Sequence, residues 1–419
     1  MKGWHFPAAA AVAIVAAVGA VHARAGSQPP TQGPAAGESP AWFLQASFPD
    51  PTGRTVVDAT GKVTIPSGPT GPGGLGSAPS VPGLAETPPC RRSPLCGNRL
   101  GRARQSLQRV QWKQTLGYTF EYPYALPPGR GGVPAVALDS KNNLWAFQRS
   151  DYGRPQLFKF DPSHRLILQV GPDVIGYQDK AHGMAVDAGD NVWITAANGA
   201  TVMKISPDGK LLMTIGERGR RGDWNEAKGQ RLLWQPVMLA FGPNGDVYLA
   251  EGHANESPND TDSGDPANAI GAARIIHLDK NGAFINQWYG NEVGQGKFAS
   301  AHGLAVDPTT GEVWIGDREE YRIVIYSGDG QFLRTVQMRN LVCALNFDSH
   351  GNPWMASGQD GQFLKLDRNG RVVGAIGNGM GIGHGQFIEA SYWAFDRDDN
   401  LYAGDTSVGR VTKMIALKK

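Results

Sequence analysis

From residue 133 onward, short apolar runs alternate with acidic or glycine-bearing turns, a spacing that suits strands and not helices. One unit recurs: an apolar run, a turn, then a run holding an aromatic residue. It reads Val136-Ala137-Leu138-Asp139 with Leu144-Trp145-Ala146, Met184-Ala185-Val186-Asp187 with Val192-Trp193-Ile194, and Leu239-Ala240-Phe241-Gly242 with Val247-Tyr248-Leu249. Three more follow: Leu304-Ala305-Val306-Asp307 with Val313-Trp314-Ile315, Ala344-Leu345-Asn346-Phe347-Asp348 with Pro353-Trp354-Met355, and Ala394-Phe395-Asp396 with Leu401-Tyr402-Ala403. Second hairpins turn at sites such as Ser206-Pro207-Asp208-Gly209 and Asp367-Arg368-Asn369-Gly370, so each unit predicts four strands. The turn residues fall at 139, 187, 242, 307, 348 and 396. Four-stranded units at this spacing predict blades, and hence an all-β, six-bladed β-propeller over residues 116–419. The last unit stops after Val411-Thr412-Lys413-Met414 without a fourth strand, whereas Tyr118-Thr119-Phe120-Glu121-Tyr122 precedes the first unit without a partner. That N-terminal strand is expected to close the ring, because an open array would leave two hydrophobic edges.

The pattern differs before this region. Lys2 and His5 precede a nearly unbroken apolar run from Ala8 to Val21 and then Ala23-Arg24-Ala25, which predicts a signal peptide over residues 1–25. The run falls short of the ~20 apolar residues of a spanning helix. A periplasmic or secreted chain without a membrane span is therefore expected. Residues 26–115 are rich in Pro, Gly and Ser and read as largely irregular. Within them, Thr55-Val56-Val57 and Lys62-Val63-Thr64-Ile65 predict a small hairpin, and Arg99 to Lys113 either a short basic helix or a solvated face.

Cleavage after Ala25 would remove Lys2 and Arg24 and no acid, leaving 38 basic against 38 acidic residues. That balance gives no reason to expect a nucleic-acid partner. With 56 Gly, 29 Pro and 11 Trp, the composition favours tight turns between short strands. Of three cysteines, Cys90 and Cys96 are close in sequence, and an oxidising compartment predicts a disulfide between them, with Cys343 left over.

The innermost strand of a propeller blade runs along the central axis, so the residues five places before each turn residue fall on one ring. They are Pro134, His182, Val237, His302, Cys343 and Ser391. Imidazole and thiol are metal-ligand groups, and with 9 His in the chain two on one ring exceed what composition supplies. The other reading is that His-Gly simply starts a strand with a hydrogen-bonded turn. A second ring beyond the turns holds Arg149, Ala197, Gly252, Arg318, Gly358 and Thr406. Guanidinium forks suit an anionic or carbonyl-bearing ligand. Each Arg also has local acids to pair with, Asp151 for Arg149 and Glu319 or Glu320 for Arg318.

The phrase His-Gly-(Leu/Met)-Ala-Val-Asp, followed by an aromatic strand and a basic-acidic hairpin, resembles the NHL family of propellers over residues 116 to 414. Within it the chain is similar to the peptidyl-α-hydroxyglycine α-amidating lyases, propellers of the same blade number that bind zinc through one His in each of three alternating blades. His182 and His302 fall where that family's first two zinc ligands stand, and Arg149 and Arg318 where its two active-site arginines stand. The resemblance departs at two places. Ser391 occupies the third ligand's place, and Glu251-Gly252-His253 stands where the family has Asp-Gly-Tyr with its catalytic Tyr. His253 is then the expected base. Cys343, on the same ring as the two histidines, is the expected third ligand of a divalent metal, zinc. After His253, residues 254–265 are expected to form a lid; their oxygen-rich side chains would admit calcium, although the EF-hand spacing is absent and a polar loop without an ion is the alternative.

These features predict a metal-dependent, carbon–nitrogen lyase-like enzyme acting on a small-molecule or peptide substrate at the channel mouth. The rival is a non-catalytic propeller that binds a protein or carbohydrate partner. Peptide mapping under non-reducing conditions is expected to join Cys90 to Cys96, whose Cα atoms can approach within the roughly 4.4–6.8 Å a disulfide needs. A Cys343 adduct with either would overturn that pairing.

Overall fold

An aspartate at the turn between the first two strands organises the repeat. Asp187 Oδ1 accepts from the backbone N–H of Gly189 and of Asn191, both at 2.9 Å, and its Oδ2 accepts from the Trp193 indole at 3.0 Å. Lys204, from the third strand, lies 2.8 Å from the same Oδ2 and 5.0 Å above the Trp193 ring. Asp348 repeats this with Asn352, Trp354 and Lys365, and Asp139 with Asn143 and Lys159. Where Gly242 replaces the aspartate, Asp246 lies 3.0 Å from His277 Nε2, and His277 stacks on Tyr248. Desolvation by itself would raise the Asp348 carboxyl, but the Trp354, Asn352 and Lys365 donors outweigh it and hold the group below its usual value.

The computed structural model describes residues 55–57, 63–64, 110–127, 131–150, 154–176, 181–197, 199–252, 273–290, 296–298, 300–318, 321–358 and 360–417. Among these, four antiparallel sheets of four strands each span 181–215, 236–289, 301–337 and 344–376. An eight-stranded sheet contains two further meanders. One comprises Ala135–Leu138, Leu144–Phe147, Leu157–Phe160 and Leu166–Val170; the other comprises Ala390–Phe395, Leu401–Asp405, Val408–Ala416 and Tyr118–Glu121. They meet through a parallel pairing of Tyr392 with Ala135. The N-terminal strand pairs where it was expected to, Phe120 opposite Met414 and Tyr118 opposite Ala416.

First strands touch first strands in cyclic order, from Ala135–Leu138 through Ala181–Val186, Pro236–Phe241, Ala301–Val306, Ala344–Phe347 and Ala390–Phe395 back to the start. The sheets therefore stand in a ring about a channel, the arrangement of a β-propeller. Second strands such as Leu144–Phe147 and Val192–Ala196 are buried along their whole length, because neighbouring sheets cover both faces. Outermost strands such as Phe332–Gln337 alternate between partly buried and exposed positions, as strands with one wet face must.

Thr55–Val57 pairs with Val63–Thr64 as the expected hairpin. The basic helix suggested for 99–113 does not extend to its end, since Val110–Trp112 is a strand parallel to Thr55–Val57. Tertiary contact selects that conformation: the Trp112 N–H donates to Gln362 Oε1 at 2.7 Å, and its indole donates to Asn340 Oδ1 at 2.9 Å. The signal-peptide segment, Cys90, Cys96, His253 and the 254–265 insertion lie outside the described residues. No helix among the described residues is long and apolar enough to cross a membrane.

Asp348→Ala removes the acceptor of a buried indole and of Lys365, and is expected to lower stability by about 3 kcal/mol at neutral pH. The folded-state pKa lies below the unfolded value of 3.8, so this contribution is present above that pH and is lost as pH falls through the folded value. Denaturant midpoints of wild type and variant should therefore converge on acidification; equal midpoints at pH 7 would contradict the hub.

Candidate functional site

Four of the six ring residues sit at an irregularity in their strand, while Pro134 and Cys343 immediately precede theirs. His302 is an extra residue, since Ala301 pairs with Asp317 and Gly303 with Gly316. Val237 is extra in the same way, between the Pro236–Glu251 and Met238–Ala250 pairs. His182 and Gly183 together face the single residue Thr195, and Ser391 and Tyr392 together face Gly404. A bulge breaks the period-two alternation and re-aims a side chain, here towards the axis. Gly183 follows His182 because a Cβ there would stand 2.4 Å from Val237 O.

Buried carboxylates at the ends of second strands hold the chain as it comes into these bulges. Asp317 accepts from the Ser300 N–H at 3.0 Å and from Arg322 Nε at 2.8 Å, which steadies the approach to His302. Asp405 accepts from the N–H of Ile388 at 2.8 Å and of Ser407 at 3.0 Å. Glu251 accepts from the Trp234 N–H at 2.7 Å and pairs with Arg274, whose guanidinium also reaches Gly222 O and Leu232 O. That buried pair pins both limbs of the excursion that carries the chain from Ile215 to Pro236.

The bulges bring His182 and His302 together, with ring centroids 4.9 Å apart and both side chains 2% exposed. His182 Nδ1 lies 2.8 Å from Val237 O, and His302 Nδ1 lies 2.6 Å from Cys343 O. A carbonyl oxygen only accepts, so in the neutral rings the proton sits on Nδ1 and the lone pair on Nε2. Arg318 Nη1 stands 3.0 Å from His302 Nε2 and 3.9 Å from Glu389 Oε1. Arg149 donates from Nε to Ala181 O at 3.2 Å, one residue before His182. The four residues selected by offset therefore gather at one end of the channel. Glu319, Glu320 and Asp151, the local acids considered for the arginines, lie outside the described residues.

Cys343 is buried against Tyr321 and Leu341, with its carbonyl turned to His302. Ser391 is buried too, but the sequence offset overlooked its neighbour. Tyr392 stacks parallel to His302 at 6.1 Å, lies 5.5 Å from His182, and donates its hydroxyl proton to His302 O. Desolvation, aided by Cys343, raises the Tyr392 phenol well above its ordinary value, so it is a neutral donor. On the turn side, Tyr392 also lines a cavity of ≈ 700 Å³ walled by Met184, Met238, Leu304 and Phe395. The phrase Glu389-Ala390-Ser391-Tyr392-Trp393 held the only signal, an aromatic pair at the start of a first strand.

Two neighbouring imidazoles with Nδ1 anchored on carbonyls and Nε2 as the remaining donor atom have the donor chemistry and outer-shell bonding of metal-binding histidines. They fit as two donors to one ion. Among the described residues no group of three His, Cys, Asp or Glu side chains is set to hold a metal, so the third donor is not assembled in this arrangement.

No protein-family model matches the chain. It is similar to peptidyl-glycine alpha-amidating monooxygenase of Mus musculus, 29% identical over 248 residues, which cover 52% of this chain and 23% of that protein. It is also similar to peptidyl-alpha-hydroxyglycine alpha-amidating lyase 1 of Drosophila melanogaster, 26% identical over 251 residues, 52% of this chain and 42% of that one. The matches thus span less than half the length of these relatives. A gluconolactonase from Xanthomonas campestris shares the fold at a TM-score of 0.50 with 17% identity, covering 72% of this chain and 91% of that one. The chain is a β-propeller protein whose sequence resembles the amidating lyases.

Desolvation raises the Asp405 carboxyl from 3.8 to about 6, against the pull of the Ile388 and Ser407 amides. Because the folded value exceeds the unfolded one, stability falls as pH rises from 3.8 to about 6, by about 3 kcal/mol, and is level above that window. Asp405→Asn cannot ionise and is expected to flatten the fall in urea melts across that range. Matching slopes in variant and wild type would mean that Asp405 titrates normally.

Proposed function

We propose that the chain is an exported, six-bladed propeller enzyme of lyase-like chemistry, holding a divalent metal between His182 and His302 and acting on a small or peptide-derived substrate at that end of the channel. In this reading the two meanders of the eight-stranded sheet count as separate blades, Tyr118–Glu121 completes the last, and the apolar run before Ala25 directs export. The observation that carries it is the matched pair of Nδ1-anchored imidazoles between two arginines, in a chain whose relatives are named for amidation. A bound metal would supply Lewis acidity to a substrate hydroxyl or carbonyl oxygen, and zinc suits imidazole and thiolate donors. His182 and His302 would hold it, with Cys343 as the chain's third donor.

Arg149 and Arg318 are the anchors for a carboxylate on the substrate. At an α-hydroxyglycine, lysis breaks the N–Cα bond. The hydroxyl proton passes to a base, the oxygen becomes the carbonyl oxygen of a carboxylate-bearing aldehyde, and the departing amide nitrogen gains a proton. His253 is the proposed base, since an imidazole is poised near neutral pH. Tyr392, a neutral phenol committed to His302 O, instead forms the floor beneath the pair.

Elemental analysis of the protein prepared without chelator is expected to find one zinc per chain, lost in His182→Ala. Peptides ending in α-hydroxyglycine should be converted to amides by wild type and at least a hundredfold more slowly by Arg149→Ala, roughly the loss of a charged contact in the transition state. A wild-type chain free of stoichiometric transition metal would favour the non-catalytic propeller instead.

A further inference from the structure

We infer that Glu389 is a positioning residue for Arg318, and that the two form a latch on His302: Arg318 caps the Nε2 lone pair, and Glu389 receives Arg318 when a metal takes that nitrogen. The inference rests on the reading of His182 and His302 as metal donors.

With its Nδ1 committed to Cys343 O, His302 has one lone pair to offer, on Nε2, and Arg318 Nη1 stands 3.0 Å from it. A guanidinium stays protonated in proteins, so it acts there both as a donor and as a positive charge. One lone pair cannot serve a guanidinium and a metal ion together, and the two cations repel. His302 can ligate only after Arg318 moves. Arg318 is 3% exposed, so solvent at its present position cannot take the charge over cheaply.

Among the described residues, Glu389 is an acceptor within reach. Its Oε1 lies 3.9 Å from the same Nη1, too far for a hydrogen bond but close enough that a shift of about 1 Å would make one. The Glu389 backbone is fixed, its N–H directed at Asp405 Oδ1 at 3.4 Å and its carbonyl accepting from the Thr406 N–H at 3.1 Å. Its side chain is 23% exposed and has room to turn. On the other side of the pair, Arg149 is tied through Nε to Ala181 O.

Calorimetric titration of the full chain with Zn²⁺ tests this on wild type, Arg318→Ala, Glu389→Gln and the double variant. Arg318→Ala is expected to bind Zn²⁺ about 10- to 100-fold more tightly, the worth of one charge-assisted hydrogen bond. Glu389→Gln should bind more weakly, and the weakening should shrink in the Arg318→Ala background. Any direct attraction of the Glu389 charge for zinc is common to both backgrounds and cancels in that cycle. Arg318→Met, with a stem of similar length, repeats the measurement if Arg318→Ala melts early. Wild-type binding that neither Arg318 variant tightens, or an equal Glu389→Gln effect in both backgrounds, overturns the latch alone. No zinc uptake by any variant overturns the metal reading, and the latch with it.

Discussion

Carboxylates buried at the far ends of second strands recur at Glu251, Asp317 and Asp405, each accepting from backbone N–H groups of the segment that leads into the first strand of its own sheet. All three have essentially no solvent exposure. Removing a carboxylate from water costs several kcal/mol, which backbone amides and an arginine from the third strand offset only in part, since desolvation still raises Glu251 and Asp405. Only one placement of the incoming chain satisfies all of these donors. The bulge that follows is thereby held in a single register, and the bulges at His302 and Tyr392 aim the site.

A second set of carboxylates works at the opposite end of the sheets. The Asp139, Asp187 and Asp348 hubs tie a tight turn to the third strand through a lysine, and at Asp187 and Asp348 to the second strand through an indole. They explain why the acidic turn, the aromatic residue and the basic residue travel together in sequence. Each unit is cross-braced before it meets its neighbours. Ring closure then joins the chain ends, since Tyr118–Glu121 supplies the edge that Val408–Ala416 would otherwise expose.

Between these two sets of braces, the channel is divided. Tyr392 lies across it, with the imidazole pair and arginines on one side and on the other a cavity lined by apolar first-strand residues and by turn aspartates such as Asp139, Asp187 and Asp348. The site side holds two arginines and is rich in fixed acceptors: two carbonyls set the imidazole tautomers, a third holds Arg149, and a fourth receives the Tyr392 proton.

The sequence by itself determined the repeat, the four-stranded units, the N-terminal strand as closing edge, and the four side chains His182, His302, Arg149 and Arg318 at one end. All of these follow from periodicity and from counting along equivalent strands, and the count reaches His182 and His302 because their bulges fall at equivalent places in their sheets. Tertiary structure decided what counting cannot reach. The bulge opposite Gly404 turns Tyr392 to the axis beside Ser391, because two residues share one pairing position and the period-two rule fails there. Glu389 comes within reach of Arg318 with the 344–376 sheet standing between theirs in the ring, and Trp112 becomes a strand residue through its bonds to Gln362 and Asn340; both depend on contacts between segments far apart in sequence. Long-range contact of this kind leaves no periodic trace, since it depends on how the sheets close and not on the order of residues within any one of them.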